Sequence, residues 1–145
     1  LSSVYRIENE VPKSAVSCTV RFMAPSLAAS IVDNETSSIT ATTAHMLFSL
    51  GMTVLQLIHC ENRTFYASKK SILHSSDVYS DLTQQSETAV LADISNYSQF
   101  LINNSLGFDD ACAEKVHSAL MGLFHCKLDA VLAIKELILT LEMCS

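Results

Sequence analysis

The sequence predicts a mainly α fold, either a compact helical bundle or a short α-solenoid-like array, with at most one short N-terminal strand. Two observations predict it. Apolar residues recur at three- and four-residue steps in residues 44–60, 87–104 and 109–144. Hydrophobic residues make up 49% of the 145 residues, which is enough for a full core. Residues 1–145 are therefore expected to form a single helical domain.

The N-terminal segment shows weaker patterns. Residues 1–13 are expected to be a lead-in, because Pro12 prevents regular pairing or helix there. Residues 15–22 alternate apolar and polar side chains, which predicts one short strand, although a helix is the alternative. Pro25 suits the first position of a short helix that continues over residues 26–32.

A polar loop at residues 33–38 is expected to precede the first long helix, residues 44–60. Thr42 or Thr43 can cap the start of that helix with its hydroxyl group. Residues 63–87 are the most polar part of the chain and are rich in serine. They are predicted to be a polar, mobile segment between helices.

The last segment carries the strongest helical pattern. Gly107 suits the position just past the helix at residues 87–104, and Asp109 or Asp110 opens the next. Gly122 and the dipeptide at 125–126 mark a candidate break into two helices. On both sides of that break one helical face holds Cys112, Val116, Leu123, Cys126, Ala130, Ile134, Leu137, Leu141 and Cys144.

The last helix is also apolar on the opposite side, where Leu128, Leu132 and Leu139 lie, and Val131 and Ile138 fill the flank. A helix that is apolar nearly all round is usually buried. One interpretation is a central helix surrounded by its own domain. The other is that the second face docks another protein or a second copy of the chain, with these three leucines as the interface residues.

Charge and hydropathy exclude two classes of partner. The net charge is −6, and of nine lysine and arginine residues only Lys69 and Lys70 are adjacent, so we expect no nucleic-acid binding. The longest apolar stretches, residues 44–60 and 130–144, are interrupted by polar side chains. Both are shorter than the roughly 20 residues that cross a bilayer, so we expect no membrane span.

No motif predicts catalysis, a cofactor or a metal site, so the chain is not expected to be an enzyme. Three glycines are too few for a phosphate-binding loop, and Gly-x-Ser-x-Gly and His-Glu-x-x-His are absent. The dipeptides His59-Cys60 and His125-Cys126 offer zinc-ligand chemistry. Adjacent residues point about 100° apart on a helix, however, so such a dipeptide rarely chelates a metal.

The five cysteines and four N-glycosylation sequons indicate different compartments. An odd cysteine count argues against a closed disulfide framework, and small buried thiols favour an intracellular protein of the cytoplasm or nucleus. A secreted protein is the alternative, because N-x-Ser/Thr sequons are acceptors for N-linked glycan. The sequons begin at Asn34, Asn62, Asn96 and Asn103.

These features predict a non-catalytic protein–protein interaction domain, an adaptor or scaffold, that presents an apolar helix face or groove. A protein partner is expected, and a homo-oligomer is one form that the interaction could take. The alternative function is a secreted, N-glycosylated helical bundle that acts as a receptor ligand or carries an apolar molecule.

Overall fold

The computed structural model describes residues 10–13, 22–33, 35–59, 87–105, 107–125 and 129–144, without the side chains of residues 56, 59, 104 and 105. These residues form five helices and one pair of short strands, so the mainly α prediction is confirmed. In chain order the elements are β1 (Glu10–Pro12), α1 (Pro25–Val32), β2 (Ser38–Thr40), α2 (Thr43–His59), α3 (Glu87–Ser105), α4 (Asp110–His125) and α5 (Ala130–Cys144). The strand predicted at 15–22 and the polar segment at 63–87 lie almost wholly outside the described residues.

The two strands pair antiparallel, with Val11 opposite Ile39 and Pro12 opposite Ser38. The predictions that Pro12 prevents pairing and that residue 38 belongs to a loop are therefore wrong. Pro12 is the last residue of β1 in a two-stranded pair, where a missing N–H disrupts little. The next N–H, that of Lys13, donates to the carbonyl of Ser37 at 3.0 Å and continues the pairing.

The first two helices begin where the sequence predicts. Pro25 is at the first position of α1, where its missing N–H has no helical partner to lose. Thr42 Oγ1 accepts the N–H of His45 at 3.3 Å, and His45 Nδ1 accepts the N–H of Thr42 at 3.2 Å. This reciprocal cap resembles a capping box with histidine in the place of glutamate. Thr42, rather than Thr43, therefore caps α2.

The turn between α3 and α4 depends on Gly107, whose φ of 62° lies in the left-handed region that favours glycine. Two residues later, Asp109 Oδ1 accepts the N–H of Cys112 at 2.8 Å. This carboxylate caps the helix and is favourable against the positive end of its dipole. Asp109, rather than Asp110, is thus the cap of α4.

The predicted break in the last segment is present, because α4 ends at His125 and α5 begins at Ala130. Asp129 caps α5 by accepting the N–H of Leu132 at 3.0 Å. The shared apolar face continues across the break, with Val116, Leu123 and Leu137 buried in one core.

The centre of the domain is α4, not α5. Helix α4 packs against α2, α3 and α5, and seven of its side chains are buried. Only two side chains of α5 are buried, Ala133 and Leu137. The interpretation that the last helix is central and surrounded by its own domain is therefore wrong. Among the described helices, none has the length and hydropathy needed to cross a membrane.

Candidate interaction surface

The outer side of α5 carries large apolar side chains that solvent can reach. Leu132 and Leu139, two of the three leucines predicted for an interface, are 51% and 58% exposed, and Leu128 lies outside the described residues. Three further apolar side chains accompany them: Val131 at 64%, Ile138 at 49% and Met143 at 75%. We call these five described residues the α5 outer face.

Helical geometry explains the shape of this face. Leu139 follows Leu132 by seven residues, so the two lie on one line about 10 Å apart along the axis. Met143 follows one turn later on the same line, while Val131 and Ile138 form a parallel line about 100° away. The opposite side of α5 is held in the core by Ala133 and Leu137, which fixes the orientation of the outer face.

Met143 was absent from the sequence-based set although its spacing identifies it. Eleven residues after Leu132 correspond to about three full turns, which returns the side chain to within roughly 20° of that leucine. Val131 and Ile138 were recognised as flanking residues. The sequence could not say whether the flank is covered, because that depends on which helices pack around α5.

An apolar cleft of about 320 Å³ opens between α2, α4 and α5. Leu57 of α2, Leu120 of α4 and Leu141 of α5 contribute to its walls, together with Phe108 from the turn before α4. The cleft is therefore a second apolar feature, on a different part of the domain from the α5 outer face.

A polar cluster connects α3 to α4 inside the otherwise apolar core. Ser98 has no exposed surface, and its Oγ lies 2.9 Å from Nδ1 of His117 and 3.1 Å from the Ser95 carbonyl, to which it donates. Ser95 Oγ lies 3.4 Å from Nε2 of the same imidazole. A serine next to a histidine is the pair that nucleophilic catalysis uses. Here the hydroxyl is sealed from solvent, so the cluster serves to satisfy buried polar groups.

Burial lowers the pKa of His117, because the protonated imidazole loses hydration in this cluster. The unfolded chain, with an ordinary histidine pKa near 6.5, then takes up a proton before the folded chain does. The contribution of His117 to the free energy of unfolding is therefore fully present above the pKa of the unfolded chain. It is lost as the pH falls toward the lower pKa of the folded chain.

We expect His117→Gln to flatten the dependence of unfolding free energy on pH between about pH 7 and pH 5. Urea unfolding at several pH values measures this, and His125→Gln, which removes an exposed histidine of the same helix, is the control. Equal slopes for wild type and the His117 variant would show that this imidazole does not titrate differently in the two states.

Two of the five thiols lie within the described residues, and both are unbridged. Cys112, near the start of α4, and Cys144, the last residue of α5, are partly exposed. The prediction of buried thiols is therefore too strong for this pair, because both cysteines are near helix ends at the margin of the core. Cys18, Cys60 and Cys126 lie outside the described residues.

The remaining candidate sites are placed only in part. Asn96 and Asn103 are exposed on α3, and Gln99 Nε2 donates to Asn103 Oδ1 at 3.2 Å; the sequons at Asn34 and Asn62 lie outside the described residues. Within the described part of the chain, no three histidine, cysteine or acidic side chains are grouped as metal ligands.

Comparisons with known proteins do not assign the chain to a family. A scan against protein-family models gave no match, and neither the curated proteins nor the solved structures include a significant match to the chain.

Proposed function

We propose that this chain is a non-catalytic protein–protein interaction domain, an adaptor or scaffold, that binds through the α5 outer face. The exposure of five large apolar side chains on one helix carries this proposal. Isolated exposed apolar residues are normal on protein surfaces, whereas a contiguous group is typical of an interaction site.

The chemistry of the face indicates the type of partner. The line of Leu132, Leu139 and Met143 runs for about 16 Å, the length over which one helix contacts another. Lys135 and Glu142 project between the two apolar lines and supply one charge of each sign. A partner helix with an apolar stripe and polar edges fits this pattern, whether it belongs to another protein or to a second copy.

The polar cluster supports a role without catalysis. Its serine hydroxyl has no surface that a substrate could contact, and its imidazole bonds to two serines of the neighbouring helix. A catalytic nucleophile must reach a substrate atom at about 3 Å. Ser98 and His117 therefore belong to the core of the domain in this proposal.

The double substitution Leu132→Gln and Leu139→Gln is expected to weaken binding at least about tenfold, or about 1.4 kcal/mol. The free energy of unfolding should change by less than about 1 kcal/mol, because both side chains are more than half exposed in the monomer. Light scattering over a dilution series measures self-association. Pull-down from natural material, with mass-spectrometric identification, finds another partner, and its affinity is then measured with purified proteins.

A matched control places the same number of glutamines on other helices. Val32→Gln with Phe100→Gln removes two exposed apolar side chains of α1 and α3, 45% and 62% exposed, that line neither the α5 outer face nor the cleft, and should leave association unchanged. The proposal is wrong if the α5 variant unfolds outright, or if it assembles and binds as the wild type does.

The apolar cleft favours a second candidate function, a carrier of an apolar molecule. Its volume of about 320 Å³ lies at the lower end of the range for small-molecule pockets. A fluorescent apolar probe measures this function: Leu57→Gln, which changes an exposed wall of the cleft, is expected to reduce probe binding if the cleft is the site, whereas the α5 double variant should not.

An intracellular location, in the cytoplasm or nucleus, is part of the proposal. The unbridged state of Cys112 and Cys144 supports it, and the exposed sequon residues Asn96 and Asn103 support the secreted alternative. A mass spectrum of the natural protein separates the two, because attached glycan would overturn the intracellular assignment.

A further inference from the structure

Helices α4 and α5 bring two distant cysteines to the same end of the domain. The short connection between His125 and Ala130 makes the helices antiparallel neighbours. Residue 128, inside that connection, is equally far along the chain from Cys112 and from Cys144. The two residues are therefore level across the hairpin, and the side chain of Cys144 is close enough to Cys112 to be the main influence on the pKa of its thiol.

The surroundings of Cys112 favour a neutral thiol in the reduced protein. The nearby side chain of Cys144 is the main reason that the pKa of the Cys112 thiol is raised to about 11, and desolvation and the charge of Asp109 act in the same direction. Since the thiolate is the reactive form, Cys112 is expected to react slowly near neutral pH. Both side chains are partly exposed, so a small reagent can approach them.

We propose that Cys112 and Cys144 are a reversible disulfide site, oxidised by a small-molecule disulfide such as glutathione disulfide. One cysteine loses its proton and attacks the reagent, which forms a mixed disulfide and releases one thiol. The other cysteine then attacks the protein sulfur of that bond and displaces the second thiol. Two electrons and two protons pass from the cysteines to the reagent, which is reduced to two thiols.

The hairpin can accept the new bond with little rearrangement. Neighbouring thiols must approach further to reach the S–S bond length of about 2.05 Å. The bond would close a loop of roughly 30 residues and restrict the unfolded chain. The inference is independent of the proposed protein-binding function.

The test treats the reduced protein with glutathione disulfide under native conditions, then alkylates free thiols and digests with trypsin. Trypsin cleaves after Lys115, Lys127 and Lys135, so the three C-terminal cysteines fall in separate peptides. We expect peptide 71–115 to be joined to the peptide that begins at residue 136, and the joined mass to be lower than the sum of the two peptide masses by two hydrogen atoms. Formation should be faster at higher pH, and the melting temperature of the oxidised protein should rise by several degrees.

Single variants distinguish this pair from other cysteines. Cys144→Ser should abolish the joined peptides, and Cys126→Ser should leave them unchanged. Dithiothreitol should restore both free thiols and the original melting temperature. The proposal is overturned if glutathione remains attached to Cys112 or Cys144 without a protein crosslink, if either pairs with another cysteine, or if neither is oxidised.

Discussion

Leu123→Ala is expected to lower the free energy of unfolding by about 2–5 kcal/mol. Leu123 has no exposed surface and lies in α4, which packs against α2, α3 and α5. The substitution removes buried methyl groups and leaves a cavity that three neighbouring helices cannot all close. Because α4 is the centre of the core, the loss should affect the whole cooperative unfolding transition.

Urea unfolding followed by far-UV circular dichroism measures this effect. Leu139→Ala is the matched control, since it makes the same chemical change on the outer face of α5, where the leucine is 58% exposed. The control should change the free energy of unfolding by about 0.5 kcal/mol or less in the monomer. Equal losses in the two variants would contradict the assignment of α4 as the core helix and α5 as a peripheral one.

The helices could be predicted from sequence because their determinants are local. Apolar spacing identified residues 44–60 and 87–104 as helices to within about a residue at each end. A hydroxyl cap was expected at Thr42 or Thr43 and a carboxylate cap at Asp109 or Asp110, and the structure selects the first of each pair. A capping hydrogen bond joins residues only three apart, so its signal is contained in a short stretch of sequence. The same reasoning located the break between α4 and α5.

The position of α5 in the domain could not be predicted in the same way. Its sequence is apolar on two sides, and burial of one side or both depends on how many neighbours the helix acquires. The proximity of Cys112 and Cys144 was missed for a related reason: a straight helix separates them, whereas the hairpin places them level. The strand pair was missed because Pro12 was judged without its partner Ser38.

Gly51→Ala is expected to lower the free energy of unfolding by about 1–3 kcal/mol, although alanine is the better helix former. A Cβ at residue 51 would lie 2.8 Å from Cζ and 2.9 Å from Cε1 of Phe124. That ring is buried, and it meets the ring of Phe48 edge to face at a centroid distance of 5.2 Å. The Phe124 ring therefore cannot retreat without disturbing a second aromatic side chain, and the overlap exceeds the gain in helix propensity of about 1 kcal/mol.

Gly122→Ala separates the steric effect from the intrinsic preference for alanine. Gly122 also lies inside a helix, but a Cβ there would have no heavy atom within 4 Å apart from the neighbouring backbone of its own helix. This control should raise the free energy of unfolding by up to about 1 kcal/mol in urea titrations. Adding Phe124→Leu to Gly51→Ala should cost less than the sum of the two single changes, because the smaller side chain makes room for the new methyl group. If Gly51→Ala instead stabilises the protein as much as Gly122→Ala does, the expected steric overlap between a Cβ at residue 51 and the Phe124 ring is contradicted.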